Sequence, residues 1–209
     1  MRSTPLLFIQ SPLVVLALAA AFVLGAGQPT PASGAVNRVT GDILRNITVT
    51  PALPDCILPV GLAFDGSELL VANCTDANVI TRVNPADGSV LGQITTNIST
   101  DGGEGLGAIS WDENGQQLWI GTRLGRVYSA ALDKAAGTAQ ATLRFTPAEI
   151  VGHGLSLGGE PNNLIDGLSV DPADGSLWLG PDQSVDIFHY SQDGTLLASF
   201  VTAIGGQRT

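Results

Sequence analysis

The 209-residue chain reads as an all-β protein assembled from a recurring four-stranded unit. Three observations predict this. Apolar residues alternate with period two over short segments, a self-similar stretch occurs three times, and Asp-Gly or Asn-Gly pairs sit at the turns between segments. Composition agrees. Hydrophobic residues make up 44% and charged residues 13%, which supports a buried core and argues against a disordered chain. The 26 glycines and 12 prolines suit a chain with many tight turns.

The first segment reads as an export signal. Arg2 supplies a short basic region, an apolar run follows from Leu13 to Ala26, and small residues at Gly25/Gly27 or Ser33/Ala35 fit a cleavage site. Residues 1–35 are therefore expected to be signal peptide and linker, and the protein to be secreted or extracytoplasmic, in a periplasm or at a cell surface. The alternative is an uncleaved N-terminal anchor reaching back to Leu6, although Gln10, Ser11 and Pro12 interrupt it. Residues 1–35 carry one of the nine basic residues and no acid. The remaining chain holds 8 basic and 19 acidic residues, a net charge of −11. Such a surface repels phosphate backbones, so nucleic acid is not an expected partner.

Residues 41–49 (GDILRNITV) resemble the fourth strand of the unit described next and read as an orphan outer strand. Cys56 and Cys74 follow. An even cysteine count in an exported chain predicts a disulfide, and this spacing would make it worth about 3 kcal/mol. Two buried free thiols are the other reading. Asn46-Ile47-Thr48, Asn73-Cys74-Thr75 and Asn97-Ile98-Ser99 match the glycosylation acceptor pattern.

The repeat begins with VGLAFDGSELLVAN from Val60, GAISWDENGQQLWIGT from Gly107 and DGLSVDPADGSLWLGP from Asp166. Asp65, Asp112 and Asp171 are equivalent and lie 47 and 59 residues apart; the longer gap reflects an inserted loop at 146–164. Each unit continues into a third strand from Val79, Val127 or Val185, then a turn and a fourth strand (ADGSVLGQI, AAGTAQATLRF, QDGTLLASF). In the first strands Leu62 and Phe64, Ile109 and Trp111, and Leu168 and Val170 form a bulky face. Gly61 and Ala63, Ala108 and Ser110, and Gly167 and Ser169 form a nearly bare one. Bulky-against-bare faces let sheets stack closely. The expected fold is a β-propeller with blades at about 59–95, 106–145 and 165–202, within a domain spanning 36–209. Three blades cannot close a ring, since propellers use four to eight. The expectation is an incomplete propeller whose missing blades lie in cis on a longer protein. Self-association of protomers is the alternative.

The pattern apolar-Gly-apolar-small-apolar-Asp, a turn, then Leu118-Trp119-Ile120 or Leu177-Trp178-Leu179 resembles the bacterial NHL-like and gluconolactonase-like propeller repeats. The resemblance covers about residues 41–204. It implies a propeller fold and leaves function open, because propellers host many activities.

In an up-and-down meander, inter-unit linkers and second-to-third-strand loops share one end. That end is expected to collect Asp55, Asp76, Asn78, Asp101, Glu104, His153, Glu160, Asn162, Asn163, Asp166 and Asp182, together with both cysteines. Glu104, Asn162, Asn163 and Asp166 form the candidate metal site, since oxygen ligands suit a hard divalent cation such as calcium. Glu160-Pro161-Asn162-Asn163 followed by Asp166-Gly167 is loosely similar to a ligand segment of gluconolactonase-like enzymes, with Leu164 and Ile165 intervening. The simpler reading of these residues is local Asx hydrogen bonding. His189 and the three tryptophans read as packing residues. No nucleophile elbow, zinc spacing or phosphate loop is present in the sequence. The functional expectation is an exported binding or scaffold module with an unidentified ligand or protein partner. The alternative is a metal-dependent propeller enzyme of the lactonase or streptogramin-lyase type.

Overall fold

Every unit folds as a four-stranded antiparallel meander, and the repeated aspartates show why the strands turn where they do. Asp65 Oδ1 accepts from the backbone N–H of Ser67 and Glu68. Asp112 Oδ1 accepts from Asn114 and Gly115, and Asp171 Oδ1 from Ala173. The equivalent aspartate thus caps the first hairpin of each unit through an Asx turn. A second set does the same before the fourth strand. Asp87 binds the N–H of Ser89 and Asp193 that of Thr195.

The computed structural model describes residues 46–49, 59–72, 78–155 and 161–202, all within the compact unit Leu44–Thr209. The expected signal segment at 1–35, Cys56, Cys74, Asp55, Asp76, Glu160 and residues 41–45 of the expected orphan strand lie outside the described residues. The first meander comprises β1 (Gly61–Phe64), β2 (Leu69–Ala72), β3 (Val79–Val83) and β4 (Val90–Thr96). The second comprises β5 (Leu106–Asp112), β6 (Gln117–Thr122), β7 (Val127–Asp133) and β8 (Thr138–Phe145). A two-residue hairpin, β9 (Gly154–Leu155) with β10 (Pro161–Asn162), occupies the inserted loop. The third meander comprises β11 (Ile165–Val170), β12 (Leu177–Pro181), β13 (Asp186–Tyr190) and β14 (Leu196–Val201). Among the described residues there is no α-helix, only a 3-10 turn at Asp101–Gly103.

Two features were not foreseen. Residues 46–49 carry no strand; they lie against the turn before β4, where a side chain at Gly88 would run into the Thr48 carbonyl. The outer strands β4 and β8 also pair in parallel through Thr95 with Thr138 and Thr96 with Ala139. The first two meanders therefore merge into one eight-stranded sheet that wraps back on itself, with β1 and β5 at its two ends packed together.

Packing between meanders follows the bulky-against-bare rule. A Cβ on Gly61 would stand 2.8 Å from Ile109 N and 3.0 Å from Ile109 Cγ1, so β5 sits directly on the bare face of β1. Ala63, Leu70, Ile80, Ile94, Leu106, Ile109, Leu118 and Ile120 make the core between the first two meanders, with Trp111 packed against it. A second core, of Trp119, Val127, Ile150, Ile165, Leu177, Leu179, Phe188 and Tyr190, joins the second meander to the third. Here Leu168 and Val170 supply the bulky face, and Ser110 Oγ on the bare face accepts from Val170 N–H at 3.2 Å. Interiors are packed to crystal-like density, so a missing Cβ at the contact sets how closely two sheets approach. The arrangement is propeller-like: successive four-stranded sheets nested face to face.

The expectation of buried bulky faces fails at one end. Leu62 is 64% exposed and Phe64 50%, because no described sheet covers that side of β1. Trp178 departs likewise. Its counterpart Trp119 is 0% exposed under the third meander, whereas Trp178 stacks on His189 (3.8 Å between centroids, 2° between planes) on a face that no described sheet covers.

Candidate functional site

The described loops bear out that linkers and second-to-third-strand connections share one end. Asn78 Nδ2 donates to the carbonyls of Thr96 and Ile98, tying the start of β3 to the linker after β4. Glu104, in the next linker, binds the turn between β6 and β7. Gly125 in that turn, at φ +74°, comes within 3.1 Å of the Asn163 carbonyl when a Cβ is built on it. Positive φ and this close approach both call for glycine there.

The Glu104 side chain is only 5% exposed, and its oxygens are already bonded. Arg126 Nη1 donates to Oε2 at 2.7 Å, Thr122 Oγ1 donates to Oε1 at 3.0 Å, and Tyr128 Oη donates to Oε1 at 3.3 Å. Burial raises the Tyr128 pKa, and the Glu104 charge adds to it. This is a fixed internal network that holds the linker to the second meander.

The other predicted residues gather at the same end of the third meander, organised by the β9–β10 hairpin. Asn162 Nδ2 donates to Asp182 Oδ2 at 3.0 Å, and Asn162 Oδ1 accepts from Leu164 N–H. Asn163 Oδ1 accepts from Gly152 N–H at 2.9 Å. The backbone locks the same residues together: Asp182 N–H donates to the Leu164 carbonyl, and Leu155 N–H to that of Asp182. Burial raises the Asp166 pKa above the ordinary carboxyl value, and the Asp182 charge raises it further. His153 Nδ1 stands 3.4 Å from Asp186 Oδ2, with its ring edge-on to Phe188. Ser184 Oγ donates to the same Asp186 oxygen at 2.9 Å. Asp101 lies on the exposed 3-10 turn, where its N–H donates to Ser99 Oγ.

The structure thus draws Asn162, Asp166 and Asp182 together, with Asn163 and His153 alongside, and gives Glu104 to the Arg126 network. Among the described residues no three His, Cys, Asp or Glu side chains stand in a metal-holding group. Sequence reading missed Asp186. Its signal was Ser184-Val185-Asp186, in which Asp186 N–H donates to Ser184 Oγ and so turns the carboxylate toward the loop. It also missed Ile150, which the inserted loop plunges fully into the second core.

At the opposite end, a shallow cleft of about 690 Å³ is lined by Asp65, Ser67, Trp111, Gln116, Leu132 and Lys134. Its charges are committed internally. Lys134 Nζ meets Asp65 Oδ2 at 2.5 Å, and Arg82 bonds both Glu68 oxygens at 2.8 Å. Burial works against the Asp65 charge, but Lys134 and the Glu68 and Ser67 donors outweigh it and hold its pKa at about 2.

The fold and loops define a propeller-like repeat module. No protein-family model matches the chain, and no curated protein matches it in sequence. Solved structures do resemble it. One is the hydrazine synthase of Kuenenia stuttgartiensis, at 14% identity and a TM-score of 0.45, covering 76% of this chain and 40% of that one. Another is a chain of a nidogen/laminin complex, at 23% identity and a TM-score of 0.45, covering 68% of this chain and 48% of that one. The chain thus spans less than half the length of either.

Proposed function

We propose that this chain is an exported β-propeller repeat module, with three blades of the NHL-like kind, that offers a binding or scaffold surface rather than a catalytic centre. One observation carries the reading. The loop end of the third meander is a polar surface whose side chains are fixed by one another and by the backbone, as in the bonds of Asn162 to Asp182 and of Asn163 to Gly152. Rigid polar groups on a packed scaffold suit recognition, because little side-chain freedom is lost on binding. The apolar N-terminal run and the sequons support export.

The Asp166–Asp182 pair motivates a second reading, a metal-dependent enzyme of the lactonase or lyase type. Burial first and the Asp182 charge second raise the Asp166 pKa, and a divalent cation beside the two carboxylates would favour the charged form. Thermal unfolding with and without millimolar calcium or magnesium, together with hydrolysis assays on lactones, separates the two. The binding-module reading expects an unchanged midpoint and no turnover. A calcium-dependent rise in midpoint and lactone hydrolysis, both lost in Asp166→Ala, would overturn it.

A further inference from the structure

Among the described residues, most of the exposed large apolar side chains belong to β1, β4, β8 and β14. Three do not. Val151, Leu155 and Val185 lie at the loop end of the third meander, each 40% exposed or more. Hydrogen bonds hold them in one place. Leu155 N–H donates to the Asp182 carbonyl, Gly152 N–H donates to Asn163 Oδ1, and His153 Nδ1 stands 3.4 Å from Asp186 Oδ2. Segments 151–155 and 182–186 therefore form one block. Sheets stack through their faces, and this block belongs to the loop end. Its charge is one-sided. From residue 145 to residue 207 there is no Lys or Arg, against eight Asp and Glu. In the first two meanders carboxylates have cationic partners: Arg82 pairs with Glu68, Lys134 with Asp65 and Arg126 with Glu104. At the block, Asp182 and Asp186 meet Asn162, Ser184 and His153, and among the described residues neither meets a Lys or Arg.

We infer that this block docks a cationic segment of a partner protein that also carries aliphatic side chains. The inference rests on the binding-module reading and names the partner's chemistry. Val151, Leu155 and Val185 are the apolar anchors, and the carboxylates of Asp182 and Asp186 receive Lys or Arg side chains. Buried apolar anchors supply most of the affinity of such a contact, while the charges around them choose the partner's sign and speed the encounter. The sign decides between macromolecules. Nucleic acid and anionic lipid surfaces meet repulsion here, and a basic protein segment meets attraction. A divalent cation alone would leave the three apolar side chains without a role. The hydrogen bonds within the block already order both loops, so little freedom is lost on docking.

The test is fluorescence anisotropy of a labelled peptide, Lys-Leu-Lys-Gly-Lys-Leu-Lys, titrated with the purified full chain at low salt. Binding is expected, and it should weaken about tenfold when Ser replaces Leu in the peptide. It should vanish when Glu replaces Lys, and weaken in about 0.5 M salt. Val151→Ser/Val185→Ser and Asp182→Asn/Asp186→Asn should each lose about tenfold in affinity. Asp174→Asn/Asp193→Asn removes the same charge from exposed positions at the opposite end of the meander and should bind as the parent does. A parent that does not bind, loop variants that bind like the parent, or an equal loss in the control overturns the inference. If a loop variant loses the parent's circular dichroism, amide shifts of the parent decide. Peptide-induced changes are expected within 151–155 and 182–186, and changes confined to other segments overturn the inference. Failure of the peptide with no calcium response and no lactone hydrolysis removes this partner class and leaves the binding-module reading standing, whereas lactone turnover removes that reading itself.

Discussion

At the scale of single residues, the repeated aspartates do more than mark turns. Asp65 caps its hairpin and also binds Lys134, which belongs to the second meander, so one carboxylate fixes a turn and a contact between sheets. Its folded pKa of about 2 lies below the ordinary 3.8. A carboxyl group with a depressed pKa stabilises the fold fully above about pH 4, and that contribution is lost as pH falls toward 2. It is worth about 2 kcal/mol, since a tenfold change in proton affinity corresponds to roughly 1.4 kcal/mol. Urea midpoints measured between pH 5 and pH 2 should therefore fall steeply in the parent. They should fall less in Asp65→Asn, which has already lost the ion pair at pH 5. An equal slope in the two proteins would refute this role. Glu68 adds to the slope in the same direction, because Arg82 holds its pKa down as well.

At the scale of elements, the parallel seam between β4 and β8 is closed by one side chain. Asn97 Nδ2 donates to the Ala141 carbonyl at 3.2 Å, and Asn97 Oδ1 accepts from Ala141 N–H at 2.7 Å. The side-chain amide thereby copies a backbone pairing just past the end of β4. Replacing Asn97 with Ala should cost about 1 kcal/mol, the net worth of a partly exposed hydrogen-bond pair. Hydrogen exchange should quicken at Ala141 while the amides of β6 stay protected. The same geometry bears on the Asn97-Ile98-Ser99 sequon, because a glycan on Nδ2 would compete with the bond to Ala141. Asn46, by contrast, is exposed.

At the scale of the whole molecule, stability rests on the second meander, which contributes to both cores. The close approach of sheets depends on bare positions, and Gly61 is one at which an added Cβ would meet the backbone of the neighbouring sheet. Gly61→Val would drive a side chain into the Ile109 backbone, which cannot yield as a flexible side-chain tip can. The expected loss is about 1–3 kcal/mol, in the range for overpacking, read from denaturant midpoints. Gly66→Ala, where a Cβ meets nothing within 4 Å, carries only the cost of its φ of +88° and should lose less. A reversed order would mean that the sheets do not nest as described.

The strands, their turns and the facing rule are legible in the sequence alone. Period-two alternation and Asx turns are local: Asp112 needs only Asn114 and Gly115 to make its turn, and Leu168 and Gly167 must point to opposite faces of any strand. The same reading placed Asn162, Asp166 and Asp182 at one end, since meander connectivity alone decides which loops are neighbours. Whatever depends on which surface meets which belongs to the folded chain. Glu104 looked like a free oxygen ligand, and only folding gives its charge to Arg126, twenty-two residues on. Trp119 and Trp178 occupy the same place in their repeats, yet one is sealed and the other is not, because burial depends on the neighbouring sheet and not on the strand's own pattern. The β4–β8 seam, the β9–β10 hairpin and the plug at Ile150 have no periodic signal at all. They arise from long-range contacts, whose energy is shared between segments that do not know of each other until the sheets have packed.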